Sequence, residues 1–227
     1  MNNADLFPDD AKVLVGIPHI KQTHRNVFVK ELSERDRRRM LRHFLGLSAD
    51  DRLLRFGTYL PDEMVEKYVA SIDFKRDVVF GVVSAHFRLI GVGHLAFAPN
   101  EKEDRTDKHR VAEFGVSVSS EARGKGVGSK LFERGAIHCR NADVDTLYMH
   151  CLSSNKTMIH IAQKAGMEIQ RDYGEADAYL KLAPHTAVTV LAEVMQEQVA
   201  TLDYVLKANT RAAMKWLEHL PGHHKEV

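Results

Sequence analysis

The stretch that decides the fold is 113–131, EFGVSVSSEARGKGVGSKL. In its first half, the apolar residues Phe114, Val116 and Val118 alternate with small or polar residues, which predicts a strand with one buried face. The opposite face would carry Glu113, Gly115, Ser117 and Ser119. The second half is a glycine-rich turn that opens a helix. The segment therefore predicts a strand, a tight turn and a helix in direct succession.

The turn has the properties of a phosphate site. Backbone amides at a helix N-terminus lack partners within the helix, so they can donate to an anion, and the helix dipole favours negative charge there. Glycine lets phosphate oxygens approach the backbone closely. The amides in question belong to Gly124, Gly126, Gly128 and Ser129. Positive charge is added by Arg123, Lys125 and Lys130.

Three other interpretations of these glycines fit the sequence poorly. A P-loop requires GxxxxGK followed by Ser or Thr, and the chain contains no such run. A dinucleotide site requires GxGxxG after a first strand, whereas these glycines are spaced GxGxG and lie late in the chain. An ordinary tight turn is disfavoured because three alternate glycines are costly at a helix start.

The rest of the chain alternates between strand and helix patterns. Helices are predicted at 33–47, 62–70, 125–140 and 155–165, and strands at 27–29, 77–84, 89–98, 111–119, 146–151, 167–171 and 176–182. The crossover between the strands at 111–119 and 146–151 exceeds a dozen residues, which predicts that they pair in parallel. The polar stretch 99–110 is predicted to be an exposed hairpin loop.

Three regions are predicted: an N-terminal arm at 1–25, a domain at 26–183 and an amphipathic helical extension at 184–227, with the boundary at Pro184. Apolar residues recur at helical spacing along the extension, so it needs a surface to bury against. They are Leu191, Met195, Val199, Leu202, Leu206, Ala213, Trp216, Leu217 and Leu220. The extension could fold back on the domain or pair with a second copy, and the apparent completeness of the domain favours a homodimer contact.

The turn resembles a motif of the GNAT superfamily of acyl-CoA N-acyltransferases. The run Arg123-Gly124-Lys125-Gly126-Val127-Gly128 matches the signature R/Q-x-x-G-x-G/A, and it lies between the fourth strand and the third helix, where that family places it. The resemblance covers roughly residues 27–182. It includes a helix motif formed by Asn155, Met158, Ala162 and Gly166. It implies an α/β fold, with a mixed, mostly antiparallel central sheet flanked by helices.

The resemblance also implies an acetyl-CoA site. In this family the fourth and fifth strands splay apart, and the amides of pantetheine pair with the free strand edge, here Val116, Ser117 and Val118. The pyrophosphate would lie on the turn formed by Arg123, Gly124, Lys125, Gly126, Val127, Gly128 and Ser129. Asn155, at the start of the next helix, would face pantetheine.

The implied reaction is direct attack of a primary amine on the acetyl thioester. Such an amine is mostly protonated at neutral pH, so a base or a water chain must accept its proton. Glu113 is the candidate base, although a solvated or ion-paired structural role is equally consistent with its position. A backbone amide of Val116 or Ser117 could stabilise the developing oxyanion.

The general acid of the family is missing from this sequence. Many members use a tyrosine to protonate the leaving thiolate, and the matching residue here is Ala162. Tyr148, Ser153 or Cys151 could substitute, or the thiolate could leave unassisted. A non-catalytic acyl-CoA-binding or regulatory module is therefore the alternative to an N-acetyltransferase. Similarity around Arg52, Arg55 and Phe56 to the GNAT domains of bacterial protein lysine acetyltransferases slightly favours a protein lysine over a small-molecule amine as acceptor.

Composition limits the other partners. The 227 residues carry 32 Lys and Arg against 31 Asp and Glu, and acids interleave with the arginines at 35–42, so nucleic-acid binding is not expected. The two cysteines, Cys139 and Cys151, predict reduced thiols in the cytoplasm. No apolar run is long enough to span a membrane, and the acidic N-terminus is unlike a signal peptide. No metal site is expected, because neighbours such as His150 and Cys151 point to opposite faces of a strand.

Overall fold

A computed structural model describes residues 27–97 and 110–218 of the chain, with side chains through residue 212. The predicted arm at 1–25 and nearly all of the predicted loop at 99–110 lie outside the described residues. So do the side chains of Ala213, Trp216, Leu217 and Leu220.

Strands and helices alternate along the described residues. The strands are β1 (Lys30–Leu32), β2 (Val78–Val83), β3 (Leu89–Phe97), β4 (Val111–Val118), β5 (Thr146–Leu152), β6 (Glu168–Asp172) and β7 (Glu175–Lys181). The helices are α1 (Arg37–Leu45), α2 (Ala49–Phe56), α3 (Asp62–Ser71), α4 (Val127–Asn141), α5 (Lys156–Lys164) and α6 (Ala187–Glu218).

The strands form one sheet in the order β1-β2-β3-β4-β5-β7-β6. Neighbouring strands run antiparallel except β4 and β5, which are parallel, as the long crossover between them predicts. The prediction of a mixed, mostly antiparallel central sheet with a C-terminal helix is confirmed.

Helices cover both faces of the sheet, because alternate strand residues point to opposite sides. On one face α1 and α3 bury Met40, Phe44 and Val65, and on the other α4 and α5 pack over a core that includes Phe114 and Leu131. Each of these large apolar side chains contributes roughly 1.5–3 kcal/mol by leaving water. The two cores hold β4 and β5 at the centre of the molecule.

Three local predictions need correction near the N-terminal side of the domain. The first strand is Lys30–Leu32, not 27–29, because its backbone pairs with Val79–Gly81 of β2. The predicted helix at 33–47 begins with a 3-10 turn at Glu34–Asp36, and the α-helix that follows ends at Leu45. Helix α2 was not predicted. It is short, and its start is marked by the Ser48 side chain, which accepts a hydrogen bond from the Asp51 amide at 3.2 Å.

Helix α6 packs against α4 and β1. Arg134 of α4 lies 2.6 Å from Glu193 and 3.4 Å from Glu197, and His138 lies 2.8 Å from the same Glu193 carboxylate. Another side of α6 exposes apolar side chains, of which Leu191 is 62% exposed. The division at Pro184 and a homodimer through the extension both stay predictions.

Candidate active site

The site begins where β4 and β5 separate. The two strands pair only over their first three residues, Val111–Glu113 of β4 with Thr146–Tyr148 of β5. Beyond this point β5 continues alongside β7, and β4 continues alongside β3, so within the described residues the edge of β4 that faces β5 has no strand partner. Helix α2 contacts both strands across the gap. The parting leaves backbone groups available to a ligand.

A cleft of about 460 Å³ opens along this edge. Its walls are formed by β4, the glycine-rich turn, the start of α4, and parts of α2 and α5. The structure brings together at this cleft every residue that the sequence predicts for acetyl-CoA. They are Val116, Ser117, Val118, Arg123, Gly124, Lys125, Gly126, Val127, Gly128, Ser129 and Asn155. Their role in binding stays a prediction.

The glycines of the turn have different structural roles. Gly124 and Gly126 have φ values of +69° and +77°, a region that residues other than glycine rarely adopt, and Gly126 is the N-cap of α4. Gly128 has an ordinary φ, but a Cβ there would lie 3.2 Å from the Ile161 side chain of α5. The turn therefore needs glycine for its own backbone conformation and for helix packing.

The basic residues of the turn are already engaged with neighbouring groups. The Arg123 guanidinium pairs with Asp51, the Lys130 ammonium lies 2.7 Å from Glu133, and Lys125 donates to a backbone carbonyl at 2.6 Å. Exposed pairs of this kind contribute at most about 1 kcal/mol, so the cations can turn to a phosphate at little cost.

Asn155 lines the cleft, but its side chain is used by the protein. Its Oδ1 accepts the Met158 amide at 3.1 Å, which caps α5, and its Nδ2 donates to the Leu54 carbonyl at 3.2 Å. Asn155 therefore ties α2 to α5, two elements that wall the cleft. The sequence motif places Asn155 at the start of α5 but does not reveal these two hydrogen bonds.

A buried histidine that sequence reasoning did not single out contacts the predicted strand edge. His43 Nε2 lies 2.8 Å from Ser117 Oγ, and Nδ1 lies 3.1 Å from the Leu89 carbonyl. That carbonyl can only accept, so Nδ1 carries the proton and Nε2 accepts from the serine hydroxyl. Burial lowers the pKa of His43 to about 4, so the imidazole is neutral at physiological pH.

Glu113 lies in a second cavity of about 170 Å³ that adjoins the cleft. The two cavities share Leu54, Arg55, Val116 and Met158 as walls. Because Glu113 is also the last β4 residue paired with β5, its carboxylate stands at the point where the strands part. The second cavity and the cleft therefore adjoin beside a carboxylate.

Two of the three residues considered as substitutes for the family tyrosine are engaged elsewhere. Tyr148 donates to Asp177 Oδ1 at 2.6 Å, and Ser153 donates to the Glu175 carbonyl at 2.7 Å. Cys151 packs in the core and also lines the second cavity, and burial raises the pKa of its thiol. Ala162 is buried in the same core at 1% exposure, so nothing polar replaces the tyrosine there.

Another group in the second cavity is His150, whose Nδ1 lies 2.8 Å from Asp177 Oδ1. Cys151 also lines this cavity but is buried, whereas His150 is exposed. Among the described residues no cluster of three or more His, Cys, Asp or Glu side chains could hold a metal ion. Nor does any helix in that part of the chain combine the length and apolarity that crossing a membrane requires.

Comparisons with known proteins agree with this fold. Solved structures that share it include the GNAT domain of S. lividans PAT, with 21% identity and a TM-score of 0.57 over 68% of this chain and 89% of that one. Another is a GNAT superfamily phosphinothricin acetyltransferase from Sinorhizobium meliloti in complex with AcCoA, with 17% identity and a TM-score of 0.56 over 72% of this chain and 92% of that one. A third is a ribosomal-protein-alanine N-acetyltransferase from Brucella melitensis, with 16% identity and a TM-score of 0.51 over 69% of this chain and 100% of that one. No curated protein matches the chain. The sequence profile of the Acetyltransferase (GNAT) family matches residues 51–167, which include the unpaired strand edge and the glycine-rich turn. The chain therefore belongs to the GNAT acetyltransferase family.

Proposed function

We propose that the protein is an N-acetyltransferase that transfers the acetyl group of acetyl-CoA to a primary amine, either a protein lysine or a small molecule, by direct attack. The observation that carries this proposal is the cleft between β4 and β5. It joins an unpaired strand edge to a helix N-terminus rich in free amides, and a second cavity with a carboxylate adjoins it.

The cleft suits both ends of acetyl-CoA. Pantetheine has two amides, and these can pair with the backbone of Val116–Val118 as an added strand would. The pyrophosphate suits the amides of the turn and of the first residues of α4, where the helix dipole is positive. The thioester would then lie toward Glu113, at the junction with the second cavity.

The proton of the attacking amine goes to Glu113, directly or through a water molecule. As the amine nitrogen bonds to the acetyl carbon, the carbon–sulfur bond breaks and CoA leaves as a thiolate. A backbone amide of Val116 or Ser117 stabilises the negative charge on the acetyl oxygen. Tyr148 and Ser153 direct their hydroxyl protons elsewhere, and burial raises the pKa of the Cys151 thiol, which makes it a poor acid toward another thiolate. The thiolate therefore leaves without a side-chain acid, and its ordinary pKa near 8.5 permits this.

The proposal is tested by release of free thiol from acetyl-CoA with a panel of primary amines, and by the mass of each product. We expect amine-dependent thiol release and an acetylated amine. Tight binding of acetyl-CoA without turnover on any amine would instead favour the alternative, a non-catalytic acyl-CoA-binding module, which the buried Ala162 at the tyrosine position makes worth testing.

A further inference from the structure

Arg55, in the last turn of α2, stands between the two cavities and lines both of them. Its guanidinium lies directly over Gly115 of β4. A Cβ added to Gly115 would be 2.5 Å from Nη2, 2.6 Å from Cζ and 2.8 Å from Nη1. Because Gly115 has no side chain, the guanidinium has room at the strand edge. Glu113 lies two residues before Gly115 on the same face of β4.

A chain of buried and partly buried polar groups holds Arg55 in this place. Nη2 donates to the Tyr68 hydroxyl at 2.9 Å, and that hydroxyl donates in turn to His94 Nδ1 at 2.9 Å. His94 Nε2 lies 3.3 Å from the buried Asp77 carboxylate. The Arg55 guanidinium also lies over the rings of Phe56 and Tyr68, at 5.0 and 5.6 Å. Supporting partners of this kind fix the orientation of a group that meets a ligand.

The guanidinium nevertheless has donors to spare. An arginine has five N–H donors in a planar fork, and among the described residues only Tyr68 accepts one from Arg55. Among the same residues its Nε is buried without a partner, and no carboxylate forms an ion pair with it. A fixed cation with free donors at a cavity wall is suited to a carboxylate, which accepts two parallel hydrogen bonds from such a fork.

We propose that Arg55 binds a carboxylate of the acceptor, so that the acceptor is a small amine that also carries a carboxylate. This rests on the proposed function. Residues 113 and 115 face the same side of β4 and are roughly 7 Å apart along the strand. With a hydrogen bond of about 3 Å at each end, one small molecule can place an amine beside Glu113 and a carboxylate beside Arg55, as an amino acid does.

A carboxylate bound by Arg55 narrows the class of acceptor. A lysine within a protein has no carboxylate of its own near the ε-amine, so the geometry favours a free amino acid or a similar compound. A carboxylate at the end of a dicarboxylic acyl group has the same chemistry, and the test separates this second source from the first.

The test compares amines that differ only by a carboxylate: L-phenylalanine with phenethylamine, L-tyrosine with tyramine, L-lysine with cadaverine, and β-alanine with ethylamine. Each is offered with acetyl-CoA and with succinyl-CoA, and kcat/KM is measured by thiol release. We expect the carboxylated member of at least one pair to be preferred by about 100-fold, the range for charge-assisted hydrogen bonds, with acetyl-CoA as donor.

Two variants test whether the preference for a carboxylate depends on Arg55. Arg55→Met removes the guanidinium, and Gly115→Ala displaces it while leaving it in the protein. Both are expected to lower kcat/KM for the carboxylated amine by about 100-fold more than for its decarboxylated partner. Arg38→Met, which removes an exposed arginine from α1, is the matched control and should change none of these values.

Each contrary result has a distinct meaning. Turnover of amines with no preference for a carboxylate, or a preference that both variants retain, would overturn the proposal while the acetyltransferase function stands. Equal loss for all amines with weaker acetyl-CoA binding would assign Arg55 to the donor site, and an Arg55-dependent preference for succinyl-CoA would assign the carboxylate to the acyl group. Either overturns the acceptor assignment. No turnover of any amine with either donor would refute the proposed function, and this proposal with it.

Discussion

Replacing Gly126 with aspartate is expected to weaken acetyl-CoA binding by about 100-fold. Gly126 is the N-cap of α4, at the entry to the turn that is proposed to hold the pyrophosphate, and its φ is +77°. Most residues in this conformation cost roughly 1–2 kcal/mol, but Asn and Asp tolerate it best. Gly126→Asn is therefore the matched control, because it has the same shape and backbone demand without the charge.

The magnitude follows from the charge alone. A carboxylate about 5 Å from a phosphate charge, at an effective dielectric constant of about 20, raises the binding free energy by roughly 3 kcal/mol. That energy corresponds to about two powers of ten in Kd. The difference between the two variants should shrink in high salt, because salt screens exposed charges.

Isothermal titration calorimetry of acetyl-CoA into the wild type, Gly126→Asn and Gly126→Asp proteins, at low and high salt, measures both effects. Circular dichroism confirms that each variant is folded. Equal Kd values for the two variants at low salt would refute the placement of the pyrophosphate on this turn.

Three further predictions concern catalysis and acid stability. Glu113→Gln should lower kcat about 100-fold, alter the rising limb of the pH–rate profile and leave the Kd for acetyl-CoA unchanged; an unaltered profile would leave Glu113 only a structural role. Because burial lowers the pKa of His43 to about 4, the unfolded chain binds a proton that the folded chain does not, so the free energy of unfolding should fall by about 3 kcal/mol between pH 6.5 and 4. Urea denaturation measures this loss, and a His43→Gln variant that keeps the same pH dependence would contradict the assignment. Burial acts to raise the pKa of Glu193, but hydrogen bonds from His138, Asn141 and Arg134 outweigh burial and lower this pKa to about 2. The contribution of the Glu193 carboxylate to stability should therefore be present above pH 4.5 and lost as the pH falls toward 2. Glu193→Gln should cost about 2–3 kcal/mol at neutral pH, and no loss in urea denaturation would show that the carboxylate does not anchor α6.

Local sequence signals predicted the centre of the fold well. The alternation in β4 and the glycine-rich turn lie within 19 residues, so the strand, the turn and the start of α4 can be inferred without knowing what packs against them. The parallel pairing of β4 and β5 follows from the length of the crossover. By contrast, β1 is three residues long and is positioned by its pairing with β2, a contact that no local pattern reports.

The candidate site likewise has one part that the sequence predicts and one part that it does not. The residues of the cleft could be predicted because most belong to one continuous motif and the others to its flanking strand and the next helix. The second cavity could not, because it forms only when α2, β4 and β5 meet. Arg55 and Gly115 are 60 residues apart in sequence, and neither the missing side chain of one nor the chain of polar groups that supports the other is visible before the chain folds.

The central claim is that acetyl-CoA lies along the unpaired edge of β4 with its pyrophosphate on the turn. Hydrogen–deuterium exchange of the protein with and without acetyl-CoA tests it most directly. We expect added protection of the amides of Val116–Val118 and of the turn at 124–129, with little change in β6 and β7. Binding of acetyl-CoA without protection of either segment, or with protection confined to another part of the chain, would contradict the claim.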